Sequence, residues 1–491
     1  MKYQPNQKIT IAPLVTSKWQ TQREQSDYGL GYGVNAELYD LNYHGYQNNL
    51  TFYTARDFFP KRKNADIKLR YQIKRQFYDA TIDTFIIYHD KIRRDTFDAD
   101  TNGVFIRNLT QTFSGIENHL SYNLAPNIIL YLKNSIATTS FEVSKLKSPA
   151  KEISKDDRGF ESKHTVRLSW QKPRWYGSFG WNFRSRAKDD RRPQKTDLDP
   201  FGNRHPSLGF DTDEVLVKLF TRGGWAFSNK DSIGFVASVS KFQFDTSDTT
   251  NPNNHDQLRW QFTVNYAHAF GSGLKIEWKG GAFLNHFVYI SSKFSSDNNW
   301  ERVLQLTPVV IYRPHSRFAF RQSFTVRAKY QTYDFNDNAN NTRDSANRQF
   351  IFTNSTRYGF NSDTWVELGL HLELAEQGRL FYRLWRQRLA LSWRNQELQL
   401  LIKHKLGWNF LIALGGSFFH QVRWNHNIDS QGNLIKTVRA KHTNLGPALE
   451  LSFKPNRSLE FVFWGDIQFV LASRKKTEQI NNFDVKLNWL F

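Results

Sequence analysis

Lysine and arginine recur along this chain at spacings of two and four residues, and they are the side chains best placed to do chemistry. Lys68 and Arg70 stand two apart, as do Arg184 and Arg186, and Arg327 and Lys329. Lys275 and Lys279, and Arg317 and Arg321, stand four apart, while Arg167, Arg222 and Arg259 hold the same parity in runs of their own. On an extended backbone successive side chains point to opposite faces, so these spacings place the cations in rows on one face. Acids are a minority in those rows, with Glu277, Glu367 and Glu373 among them. The whole chain of 491 residues carries 67 Lys and Arg against 46 Asp and Glu, a formal net charge of +21. A confined surface of that sign raises the local concentration of anions. The opposing reading is that the cations pair with acids such as Asp189, Asp190, Asp197 and Asp199 and only solvate an aqueous interior.

Other chemistries find no support. With no Cys in the chain, disulfides, thiol nucleophiles, Cys-ligated zinc and covalent c-type haem are excluded. No phosphate-binding loop, dinucleotide fingerprint or HExxH motif occurs. His286, His404 and His420 are scattered without ligand spacing, and no Ser/His/Asp or paired-carboxylate constellation can be assembled. No catalytic residue, cofactor or metal site is expected, and the chain reads as a non-enzyme. A basic, aromatic-rich chain raises the question of nucleic acid, where bases stack on aromatic rings beside cations. Here basic and aromatic residues take opposite parity, so no nucleic-acid partner is expected.

The elements that position the cations are strands. Ile67, Leu69, Tyr71 and Ile73 alternate with Lys68, Arg70, Gln72 and Lys74. Leu258, Trp260, Phe262, Val264 and Tyr266 alternate with Arg259, Gln261, Thr263 and Asn265. Val366, Leu368, Leu370, Leu372 and Leu374 lie opposite Glu367, His371 and Glu373. Runs near 10 residues or longer exceed the usual strand of about 5–6 and suit a tilted membrane crossing. Turn signals near 124–127, 172–174, 229–231, 271–273, 313–316, 359–363, 407–409 and 454–456 alternate with longer polar segments at 143–158, 188–212, 246–256, 291–298, 333–347, 375–395, 425–439 and 474–482. The count under that rule is about 22 strands, within about 20–24, with the first at 7–18.

The last strand is the most specific signal. Phe483, Val485, Leu487, Trp489 and Phe491 share one face, Asp484, Lys486 and Asn488 the other, and the chain ends on Phe491. This resembles the C-terminal assembly signal of Gram-negative outer-membrane β-barrel proteins, carried here by Trp489 and Phe491. The resemblance implies one closed antiparallel transmembrane barrel over residues 1–491, with short periplasmic turns and longer extracellular loops. It also implies outer-membrane lipid, lipopolysaccharide and the barrel assembly machinery as partners. Met1-Lys2-Tyr3-Gln4-Pro5 lacks the apolar stretch of a secretory leader, so the expected chain is a processed or trimmed one, any upstream plug or periplasmic domain lying outside it.

On that fold the cation rows would line a lumen, and the chain is expected to be a pore or transporter passing solutes or polymers, with a preference for anions. Loops 188–212 and 375–395 would narrow it. Two alternatives stay open. The barrel could sheathe a separate lumen-occupying or periplasmic partner, such as a multihaem cytochrome in an electron conduit. It could equally be the barrel of a TonB-dependent receptor or export machine lacking its plug, since about 22 strands enclose a lumen wide enough to be plugged.

Overall fold

A computed structural model describes residues 3–489 except 23–24, 61, 78–80, 101–102, 148–149, 191–210, 247–252, 272, 337–342, 385, 408, 430, 432, 455–458 and 473–477. Strands dominate it. They are β1 (Tyr3–Asn6), β2 (Ile9–Gln22), β3 (Gln25–Tyr43), β4 (Tyr46–Phe58), β5 (Lys63–Phe77), β6 (Thr81–Asp100), β7 (Gly103–Ala125), β8 (Ile128–Lys147), β9 (Ala150–Lys172), β10 (Trp175–Asp190) and β11 (Thr212–Ala226). There follow β12 (Asp231–Thr246), β13 (His255–Ala269), β14 (Leu274–Tyr289), β15 (Asn299–His315), β16 (Phe318–Tyr333), β17 (Ser345–Gly359) and β18 (Thr364–Phe381). The last are β19 (Arg386–Leu406), β20 (Phe410–Ile428), β21 (Leu434–Phe453), β22 (Leu459–Ala472) and β23 (Glu478–Trp489). Two 3-10 turns, Ser292–Asp297 and Tyr382–Leu384, are the helical elements among the described residues. None is long and apolar enough to cross a membrane.

The strands form one 23-stranded antiparallel sheet. The chain divides into two compact units, Met1–Thr221 with Val239–Leu258 and Tyr289–Lys293, and Arg222–Ser238 with Arg259–Val288 and Phe294–Phe491. In the first, β1 through β10 pair in chain order. In the second, β14 through β23 do the same. Among the described residues no ladder joins β23 to β1 or β2. The β3–β4 hairpin turns on His44 (φ 50°) and Gly45 (φ 78°), the left-handed pair that a two-residue turn matched to strand twist requires.

Burial follows parity. Tyr28, Leu30 and Tyr32 on one face of β3 are more than half exposed. Between them Gly29, Gly31 and Gly33 face the other way, and a Cβ at Gly31 would run into Thr16 Oγ1 and Asp57 Oδ1. The missing side chain lets Asp57 accept hydrogen bonds from Thr16 (3.2 Å) and Lys18 (2.5 Å) across the strand. A polar knot closes the far ends of β3 to β7. Arg62, 1% exposed, lies between the rings of Phe59 (4.6 Å) and Phe97 (4.7 Å) and donates to Asp27 at 3.1 Å. Asp95 accepts from Asn108 at 2.6 Å and from the Lys63 amide at 2.9 Å, so its burial is matched by hydrogen bonds.

The structure corrects the expected strand plan in several places, and most of segment 425–439 is strand, in β20 to Ile428 and in β21 from Leu434. The four-residue β1 precedes the first full strand, which runs Ile9–Gln22 rather than 7–18, so the described residues form 23 strands, within the expected 20–24. Segment 143–158 is mostly strand, with Leu146 facing Lys151 across β8 and β9. Segment 375–395 is likewise two paired arms, Ala375 facing Trp393 and Phe381 facing Arg386. In 143–158 charged residues interrupt the period-two hydropathy while the backbone ladder continues, and 375–395 keeps apolar residues such as Leu389, Leu391 and Trp393 at alternate positions. Strands of 23 residues in β7 and β9 are about twice what a crossing needs. Segment 188–212 is strand to Asp190, and 191–210, with Asp197 and Asp199, lie outside the described residues.

Candidate functional site: the charged face of the sheet

Strand register decides which cations meet. In the first unit it aligns Ser135 with Lys163 and Arg184, and Ala137 with Glu161 and Arg186. The result is a ladder of alternating sign. Lys163 lies 2.7 Å from Glu161, and Arg184 bridges Glu161 (3.7 Å) and Glu214 of β11 (2.8 Å). Arg186 reaches Glu214 at 4.0 Å. Two strands earlier, Glu117 takes Lys133 at 3.4 Å and His119 at 3.0 Å.

Lys68 and Arg70 on β5 face Asp90 and Tyr88 across the ladder, yet among the described residues neither forms an ion pair. Lys68 stands over the Tyr53 ring at 5.8 Å, and Arg167 over Tyr131 at 4.9 Å without a carboxylate. Basic and aromatic groups therefore share this face in places, and the expected segregation to opposite parity is incomplete.

In the second unit Glu277 sits between Lys275 (2.9 Å) and Lys279 (3.2 Å) on the same face of β14. Lys329 pairs with Glu301 at 3.0 Å, and Lys403, 13% exposed, bridges Glu367 (3.2 Å) and Glu450 (2.8 Å). Arg259 donates to Asn285 at 3.4 Å. Arg321 and Arg327 share the Lys329 face of β16, with Arg317 just before it, and among the described residues these three have no carboxylate partner. Their register neighbours are neutral: Arg321 faces Ile311 and Ser355, and Arg327 faces Gln305 and Gln349. Arg222 has the parity of Glu214 on β11.

The sequence reading named the cations and missed most of the acids that answer them. Glu161 two residues from Lys163 was visible in the sequence, whereas Glu214, Glu301 and Glu450 meet their cations only through cross-strand register. Among the described residues no cluster of His, Asp and Glu could hold a metal ion.

The opposite face is apolar and uncovered. On β19 Leu398, Leu400 and Ile402 are 38%, 46% and 54% exposed, and on β20 Leu414 is 59% exposed. On β23 Phe483 and Val485 are exposed on one face, while Asp484 and Lys486 pair at 3.1 Å on the other. The backbone of Trp489 pairs with Leu459. Phe491 lies outside the described residues.

No family model matches the chain, and no curated protein matches it. Solved structures do. The ferric-catecholate import receptor Fiu from K12 E. coli superposes at a TM-score of 0.53 with 8% identity, over 100% of this chain and 82% of that one. The FrpB iron transporter from Neisseria meningitidis (F5-1 variant) gives 0.53 at 9%, over 98% and 82%. The outer-membrane transporter YddB from Escherichia coli gives 0.52 at 9%, over 99% and 81%. The fold of the sheet is the one these outer-membrane transporters share. An outward face of uncovered Leu, Ile and Phe is what hydrocarbon demands and what water would penalise. A sheet face of this kind suits lipid rather than water.

Proposed function

We propose that the sheet closes into a single transport barrel whose charged face lines the lumen, and that this lumen favours anions. Closure follows from the membrane, where an unpaired strand edge has no water to satisfy it. The observation that carries the preference is the row Arg317, Arg321 and Arg327. Exposed cations among neutral neighbours project a field that paired cations do not. The structural neighbours named for ferric-catecholate import and iron transport support a transporter on this fold, and an anionic solute suits this interior. No catalytic role is assigned, in keeping with a transporter.

The test is reversal-potential measurement on the purified chain in planar bilayers under a salt gradient. Anion preference that weakens as ionic strength rises, and moves toward cations in the R317Q/R321Q/R327Q variant, is the expected result. A cation-selective pore would refute the electropositive lumen. Silent bilayers would favour a lumen filled by a plug or a separate partner.

A further inference from the structure

Down the outward face of β19, β20 and β21 the chemistry changes row by row. Register sets Leu398 beside Phe418 and Leu445, and Ile402 beside Leu414 and Leu449. One row above Leu398 stand Gln396, His420 and Thr443, where the apolar band ends. The next row is Arg394, Val422 and Lys441, and above it Ser392, Trp424 and Val438, with His426 and Lys436 beyond. At about 3.3 Å per residue, each row is about 7 Å from the next along the strand. A knot of cations thus sits one to two rows past the hydrocarbon boundary, on the ends of the strands remote from the short turns.

The knot is built around one ring. Lys436 Nζ lies 4.2 Å from the Trp424 centroid, and the Arg394 guanidinium 6.0 Å from it. Arg394 and Lys441 flank Val422, which is only 7% exposed. Among the described residues Arg394, Lys436 and Lys441 have no ion pair, although Glu376 of β18 faces Ser392 in register. Arg394 Nε and His426 Nδ1 are buried without a hydrogen-bond partner. On the charged face Lys275, Lys279, Lys329 and Lys403 have carboxylates, while Arg321 and Arg327 among the described residues do not. A like-charged, unneutralised group beside lipid lacks an anion.

We propose that Arg394, Lys436 and Lys441, gathered on Trp424, bind the phosphate groups of a glycolipid in the outer leaflet. The depth matches a headgroup, and the rows below would hold the acyl chains. Guanidinium and ammonium groups recognise phosphate through charge-assisted hydrogen bonds. The inference rests on the membrane placement of this face and is independent of anion passage through the lumen.

The full chain in detergent micelles would be titrated with bis-phosphorylated hexa-acyl lipid A, binding being read by native mass spectrometry. Loss should be about fivefold for each cation removed, since a basic group at a membrane surface contributes on that scale. K436Q/K441Q is the decisive variant because both side chains are exposed, and R394Q/K436Q/K441Q extends it if heat-modifiable gel migration shows that it folds. Dephosphorylated lipid should bind the native chain as weakly as lipid A binds the variant. Unchanged affinity in K436Q/K441Q would overturn the proposal. Full displacement of lipid A by millimolar inorganic phosphate would overturn it in favour of a small-anion site. An equal loss in R321Q/R327Q would overturn it by placing the lipid elsewhere.

Discussion

Strands β9 to β11 and strand β16 both carry rows of cations on the charged face, yet the rows are electrostatically unlike. On β9 to β11 the sequence of charges across the ladder is Lys163, Glu161, Arg184 and Glu214, each within ion-pair reach of the next. Opposite charges a few ångströms apart cancel at the distance of a passing solute. On β16 the neighbours of Arg321 and Arg327 are Ile, Ser and Gln, so nothing cancels. Formal charge is thus a poor guide to potential in a sheet. What matters is the residue facing each cation one strand away, together with the residues two before and two after it.

The sharpest way to break the contrast is to remove a cation whose acids cannot escape to water. Arg62 is 1% exposed and its partner Asp27 is 7% exposed. Replacing Arg62 by Met strands a buried carboxylate, and we expect a loss of about 3 kcal/mol or more in urea unfolding followed by tryptophan fluorescence. A loss below about 1 kcal/mol would show that water reaches Asp27. Lys403→Met should cost less, about 1–2 kcal/mol, because Glu367 and Glu450 are more accessible than Asp27 but lose the one cation between them.

A charge-neutral swap sharpens the comparison from the other side. K329Q/E301Q removes a half-exposed pair and leaves the net charge unchanged, so stability should stay within about 0.5 kcal/mol and bilayer selectivity should not move. R321Q/R327Q should be equally silent in unfolding yet should shift the reversal potential toward cations. If both double variants shift it equally, pairing does not decide the lumen field.

Much of this was legible in the sequence, and the limits are physical. The apolar face of β18 to β20 could be read off because hydrocarbon tolerates no polar outward residue, so Leu398, Leu400 and Ile402 obey a strict period. The class of fold and the parity of the cations followed from that period. The stretch Ala150–Gly159 is strand for a different reason: its backbone pairs with β8. No sequence period marks such a ribbon. Register was equally hidden. Nothing in the sequence near Lys329 or Lys403 indicates that Glu301, diagonal across the β15–β16 ladder, and Glu450, two strands away beyond Ala413, are their partners, because a shift of register would replace both.

The smallest expected effect concerns a carboxylate held mainly by hydrogen bonds at the short turn before β12. His268 Nδ1 lies 2.6 Å from Asp231, Ser228 Oγ 2.7 Å and Tyr266 Oη 2.7 Å. Their hydrogen bonds, that of His268 foremost, pull the Asp231 carboxyl down from 3.8 to about 2. A carboxyl with a depressed value in the folded state stabilises above its unfolded value, and that contribution fades as pH falls from near 4 through about 2. The ladder carboxylates depend on cations and should respond to salt, whereas Asp231 keeps its serine and tyrosine donors when charge is screened. Carbon-13 carboxyl titration in detergent should give a midpoint near 2 for Asp231, little altered by 0.5 M salt and raised toward the ordinary carboxylate range by His268→Ala. A native midpoint near 4 would show that these donors do not hold the ionised form, and would dissolve the distinction between turn and ladder carboxylates.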